Sequence, residues 1–299
     1  MSLLPKLRTK PLRKILERHS HLNELRMYQW TGSMYTYLSK TPLQAKAKLY
    51  ITKLQHATTK TGLNGIIEEG FKGFSSQDSK GSHFFYCTGV PDSDDVDLKI
   101  RQWLSQYPEI EQTEENIKSF QNSPAFSDNS RYGNYKFTFE LDDIIKAYRD
   151  QICGGKDPVF RIYGTFCYKK EIVYMVVVHS PDSIAFDHFP YLPTDVGDRI
   201  CGKDDGGIYW CPEAMSDKCL YEQVEGTAII PYPFNEYFVW DHMVFAFNMS
   251  SNMKFKLEYL YEHLTACDLE EINLAGERET KQEAEQYIKR LKASKLDKT

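Results

Sequence analysis

The chain reads as an α+β protein, with twisted, mostly antiparallel sheets and flanking helices. Three observations predict this. Aromatic and β-branched runs with strand-like alternation recur at 48–54, 84–87, 135–140, 160–179 and 236–248. Helical stripes fall between them at irregular intervals, without the steady strand–helix alternation of a parallel sheet. Aromatic residues make up 14% of the chain, with 20 Tyr and 17 Phe, an enrichment that suits strands.

Residues 1–46 are expected to form a basic N-terminal helical arm and loop. Leu12, Ile15, Leu16, Leu22 and Leu25 give a loose helical stripe. In the first twenty residues Lys6, Arg8, Lys10, Arg13, Lys14 and Arg18 face a single acid, Glu17. Such a run suits an acidic partner, RNA or anionic lipid, or a solvated helix face.

Residues 47–268 are expected to be one α+β domain. The run at 48–54 is a strand, and a helix follows over 59–69 with Leu63, Ile66 and Ile67 on its apolar face. Thr58 or Thr59 is its N-cap, and Gly70 ends it. After a Gly/Ser-rich loop, 84–87 is a short buried strand. Asp92 to Asp97 cap a helix that runs to Tyr107, and a second helix is expected over 114–121. Residues 135–140 form a strand and 141–148 a short helix, and Gly154-Gly155 turns the chain. Residues 160–168 and 171–179 form a hairpin. A loop over 180–205 leads to short strands at 207–211 and 227–230. Residues 236–248 form the longest strand, and 257–266 a helix. Residues 269–299 are a charged C-terminal helical tail, with Ala284, Tyr287, Ile288 and Leu291 on one narrow stripe.

Composition bounds the function. At 299 residues the chain can bury a core without staples. A net charge of −5 supplies no global basic field for nucleic acid. No apolar run approaches the ~20 residues of a membrane span, and the N-terminus lacks the apolar core of a signal peptide. The seven cysteines are scattered, which argues for free thiols in a reducing compartment. The expected location is the cytoplasm, with the nucleus as the alternative.

Two stretches carry chemistry. Gln55-His56-Ala57-Thr58-Thr59 leaves a strand and opens a helix. Asn235-Glu236-Tyr237-Phe238-Val239-Trp240-Asp241 puts a polar head on an aromatic strand. Together they resemble the histidine and glutamate signatures of ADP-ribosyltransferase catalytic domains of the poly(ADP-ribose) polymerase type. Ile66, Ile67 and Gly70-Phe71 are similar to the segment that closes the first helix in that family. Gly81-Ser82-His83-Phe84-Phe85-Tyr86 stands in the place of its Gly-Lys-Gly-Ile-Tyr-Phe strand. The resemblance implies an ADP-ribosyltransferase-like fold and NAD-dependent mono-ADP-ribosyl transfer, with NAD as substrate. It also implies a protein or nucleic-acid acceptor.

Carried over, His56 and Thr58 would bind NAD, Tyr86 would stack on nicotinamide, and Glu236 would be catalytic. A carboxylate there would stabilise the oxocarbenium-like transition state. Glu171, which heads a strand of the same style, is the second candidate for that role. The sequence departs from the family at Ala57, where the family has Gly, and at His83. The stacking Tyr aligns with Phe85, so Tyr86 stands one place later. A one-residue shift turns a strand side chain to the other face.

Other constellations are weaker. Gln151-Ile152-Cys153-Gly154-Gly155 resembles the caspase pentapeptide, but no His lies about fifty residues upstream. Cys201, Cys211 and Cys219 with His179 or His188 lack the short paired arms of a zinc site, so no metal is expected. No P-loop or dinucleotide glycine motif occurs. The alternative to an enzyme is an interaction protein on a degenerate ADP-ribosyltransferase-like or unrelated α+β fold.

Overall fold

A computed structural model of the chain describes residues 14–16, 18–21, 24, 34–37, 47–75, 82–106, 113–114, 126, 129–168, 171–195, 197, 199–213, 220–224, 236–238, 240–270, 276 and 279–296. In chain order its elements are β1 (Lys14–Leu16), β2 (Met34–Tyr37), β3 (Leu49–Thr58), α1 (Lys60–Glu69), β4 (Phe74–Ser75), β5 (His83–Pro91) and α2 (Ser93–Leu104). Then come β6 (Tyr135–Glu140), α3 (Leu141–Gln151), β7 (Val159–Tyr168), β8 (Glu171–His179), β9 (Cys201–Asp204) and β10 (Gly207–Trp210). The last are β11 (Leu220–Val224), β12 (Glu236–Phe238), β13 (Trp240–Asn248), α4 (Leu257–Glu262), β14 (Leu264–Ala266) and α5 (Lys281–Leu296). The mixture of sheet and helix is α+β.

One large sheet runs β1-β7-β8-β13-β5-β3-β10-β9, with β4 on β5, β6 on β3 and β14 on β6. Among the described strands of this sheet only β8 and β13 pair in parallel; the other neighbours are antiparallel. A smaller sheet runs β12-β11-β2.

Both faces of the central strands are buried. Phe85, Cys87, Tyr174, Val176, Met243, Phe245 and Phe247 look into the larger core with Leu63, Ile66, Ile100, Ile144 and Tyr148 of the helices. The alternate residues Phe84, Val173, Met175, Val177, Val244 and Ala246 look the other way, onto Phe186 and Phe189 of the loop after β8. Central strands covered on both faces read as continuous apolar runs, which is why 172–178 and 243–247 carry almost no polar residue.

Local chemistry sets the helix ends. Thr59 caps α1, its Oγ1 accepting from the Gly62 N–H at 3.1 Å, and Gly70 ends the helix at φ 91°. Asp92 caps α2 by accepting from the N–H groups of Asp94 and Asp95. Thr280 and Glu283 form a reciprocal capping box at the start of α5, with bonds of 3.2 and 2.8 Å. Thr59→Ala should lower stability by about 1 kcal/mol, read from urea unfolding. No loss would remove the capping account of this threonine.

Three expectations change. The long strand expected over 236–248 divides into β12 and β13, which pair in different sheets. β13 is held between β8 and β5, whereas β12 pairs with β11. The helix expected over 257–266 stops at Glu262, and 264–266 becomes a strand because β6 offers it a ladder. Within the expected helical arm, 14–16 and 34–37 are strands that find partners in β7 and β11. The strand expected at 227–230 and, apart from Glu114, the helix expected at 114–121 lie outside the described residues. Among the described residues no helix is long and apolar enough to cross a membrane.

Candidate functional site

β3 carries the histidine. One edge of β3 pairs with β5, and the other pairs with β10 and then β6. His56 lies opposite Phe137 of β6. Its ring sits against Phe85 at 4.9 Å and Phe71 at 5.6 Å between centroids. Its Nδ1 donates to the Tyr86 carbonyl at 2.9 Å. Burial lowers the His56 pKa, so the ring is neutral and holds the ends of β3 and β5 together.

Thr58 closes β3 opposite Tyr135. Gly133, at φ 136°, lies so close that a Cβ there would overlap the Thr58 carbonyl. The capping role belongs to Thr59.

Tyr86 does not share the histidine's face. Phe85 belongs to the larger core and touches His56. Tyr86 packs against the second core, with Phe84 at 5.9 Å. Successive strand residues point to opposite faces, so Phe85 is the ring beside His56. Tyr86 meets it through its backbone carbonyl.

The two glutamates lie elsewhere. Register runs from Gln55 to Thr88, from Thr88 to Val244 and from Val244 to Met175. Glu171 is the first residue of β8, opposite Tyr168 and Trp240. It is therefore four residues below that row, about 13 Å along the strand, and three strands across, about 14 Å. Glu236 precedes Trp240, pairs with Glu222 and belongs to the smaller sheet. The structure joins His56 to the Tyr86 backbone, and it places Glu171 three strands away and Glu236 in the other sheet.

A titratable cluster that the sequence motifs did not single out occupies the other end of the sheet. Glu213 accepts from His21 Nδ1 at 2.6 Å and from the Tyr174 hydroxyl at 3.3 Å. The Glu213 N–H donates to fully buried Asp241 at 2.8 Å. Next to it, His19 Nε2 donates to the Met175 carbonyl at 3.1 Å. The β7–β8 register shifts between Ile162 and Gly164, and Gly164 takes φ 145°. This bulge lies directly opposite Met175. The cluster fastens residues 18–21 onto the sheet. Asp241 ends the quoted glutamate motif, but nothing local linked it to His21, which is 220 residues earlier.

A groove of about 580 Å³ lies between α5 and the β6–β14 pair. Lys136, Lys289 and Lys292 line it beside Glu285, with Leu264 and Ile288 as apolar wall. Glu285 and Lys289 stand four apart on α5, a spacing that puts both on the face that lines the groove.

Of the remaining motifs, Cys219 lies outside the described residues. The Cys153 thiol is buried, and burial pushes its pKa up to about 11, the reverse of an activated nucleophile. Among the described residues no group of three or more His, Cys, Asp or Glu is placed to hold a metal ion. Among the described residues Cys87, Cys153 and Cys201 are free thiols.

Compared with protein-family models, with curated proteins and with solved structures, the chain finds no match.

Proposed function

We propose that this protein acts by binding and not by turning over NAD, as an interaction protein on an α+β framework. The observation that carries this reading is the division of the expected constellation. His56 and Tyr86 point to opposite faces of the sheet, and Glu171 stands three strands across and five residues below the histidine's row, about 22 Å away by strand geometry. Oxocarbenium stabilisation needs a carboxylate at the reacting ribose, so a histidine whose partners among the described residues are Tyr86, Phe71, Phe85 and Phe137 favours binding. Ligands in keeping with this reading are a nucleotide, an ADP-ribosylated protein or RNA. An acidic partner for the basic N-terminal residues belongs to the same proposal. The free thiols support a reducing compartment, cytoplasmic or nuclear.

NAD-dependent mono-ADP-ribosyl transfer is the second reading. Phe85 favours it, because it stands beside His56 at the position where the resemblance places the stacking Tyr. Incubation with a labelled NAD analogue separates the two. The wild type, Glu236→Gln and Glu171→Gln should all remain unlabelled, and NAD should leave the melting temperature unchanged. Labelling of the wild type that disappears in one glutamine variant overturns the binding reading and identifies the carboxylate.

A further inference from the structure

The loop after β8 covers the second core. Phe186 and Phe189 are its buried plugs, at 3% and 6% exposure, whereas Ile184 and Tyr191 on the same loop are 82% and 65% exposed. Beyond the plugs the chain reaches β7. The Ile162 N–H donates to the Pro190 carbonyl, and the Leu192 N–H donates to the Phe160 carbonyl.

One buried side chain holds the loop down. Arg161 of β7 donates from Nη1 to the Phe189 carbonyl at 2.7 Å and from Nη2 to Asp187 Oδ1 at 2.9 Å. Its guanidinium also lies 4.0 Å from the Tyr191 ring centre. Its third direction, Nε–H, is aimed at His179 Nε2 at 3.1 Å. The other ring nitrogen of His179 donates to the Ser180 carbonyl at 2.8 Å. These two contacts fix the ring as the neutral Nδ1–H tautomer, because an acceptor facing Arg161 carries no proton.

We propose that the Arg161–His179 contact is an acid-sensitive latch that keeps the 184–192 loop closed over the second core while His179 is neutral. A proton on Nε2 would set two donors against each other and two cations about 3 Å apart inside a buried site. The contact cannot survive that change. Opening would uncover Phe186, Phe189 and the strand residues beneath them, Phe84 and Val177.

The surroundings favour the neutral ring. His179 is 1% exposed. Burial, then the nearby Arg161 charge, lowers its pKa, with the Ser180 bond and Asp187 opposing. From the loop, Asp187 faces the site but is engaged by Arg161. Asp182 is paired with Lys156 at 2.7 Å. The Cys153 thiol of the segment after α3 bonds Ser180, and the Phe186 ring packs on the imidazole at 5.0 Å. His188 is exposed on the same loop against Phe189.

Hydrogen exchange followed by mass spectrometry on the full chain, between pH 7.5 and 5 and corrected for intrinsic rates, tests this. Protection of 184–192 should fall by up to about tenfold per pH unit once the ring titrates, while β3, β5 and β13 stay protected. His179→Gln keeps an acceptor for Arg161 and a donor for Ser180 without titrating, so its loop should stay closed throughout. His188→Gln should behave as the wild type. The proposal is overturned if His179→Gln opens with the same pH dependence, or if the wild-type loop does not respond. Loss of loop and central strands together would overturn it too, and that outcome is readable on the wild type even if the variant folds poorly.

Discussion

Phe71→Ala is expected to destabilise the protein by about 3–5 kcal/mol, one of the two largest effects the structure offers. Phe71 is 1% exposed and stands at the centre of an aromatic cluster. Its ring lies 4.7 Å from Phe85, 5.5 Å from Phe137, 5.8 Å from Phe139 and 5.9 Å from Phe255. These partners come from β5, β6 and the segment before α4, so collapse around an alanine would have to move several elements at once. The backbone cannot follow either. Phe71 and Met253 exchange both backbone hydrogen bonds, at 2.8 and 3.0 Å. Phe71→Leu keeps most of the volume and should lose much less. Urea unfolding would read both, with the midpoint falling and the slope unchanged. A loss under about 1 kcal/mol for the alanine variant would mean that the cluster is loosely packed.

The same cluster bears on the candidate site, because Phe71 is one wall of the His56 environment. An alanine there would leave a cavity beside a neutral imidazole. If NAD, ADP-ribose or nicotinamide then produced a thermal shift that the wild type lacks, packing and not chemistry would be what closes this position.

Local rules made much of this fold legible. Thr59 and Gly70 bracket α1 because a hydroxyl cap and a positive-φ residue are written in the sequence itself. The β7–β8 hairpin, β6, α3 and the Gly154-Gly155 turn were readable for the same reason. What the sequence withheld was pairing and facing. The aromatic run from Tyr237 to Phe247 has one texture, yet its parts pair with β11 and with β8 and β5. The choice belongs to strands that are distant in the chain.

Facing decided the candidate site. Phe85 and Tyr86 are equally plausible rings on paper, and only the register of β5 against β3 and β13 turned Phe85 toward His56. The His21–Glu213–Asp241 cluster was illegible for a further reason. Its members come from three separate segments, and the bulge at Gly164 lies opposite Met175, whose carbonyl His19 meets.

His19 sets the second large expectation, a loss of stability in mild acid. Its Nε2–H bonds the Met175 carbonyl, its ring lies edge-on to Tyr174 at 5.6 Å, and its buried Nδ1 has no hydrogen-bond partner among the described residues. A second proton would have to sit on that enclosed nitrogen. Burial therefore lowers the pKa from 6.5 to about 4, against the opposing Met175 bond. A folded pKa below the unfolded one means that the unfolded chain binds more protons between the two values. Stability is thus full above pH 6.5, falls as pH drops through that window, and levels off near pH 4. The whole interval corresponds to about 3 kcal/mol, of which up to about 2 kcal/mol appears by pH 5. His56 and His179 are lowered in the same direction and steepen the fall. The acids with lowered pKa, Asp150, Asp195, Asp204 and Glu283, lose their contribution only further down, below the ordinary carboxylate range. Urea midpoints between pH 7.5 and 5 therefore isolate the histidines. His19→Gln can still donate to Met175 and cannot titrate, so its midpoint should decline less over that interval. Parallel curves for the wild type and His19→Gln would show that residues 18–21 do not press this ring onto the sheet, and the polar anchor at Glu213 would then have to hold the segment without it.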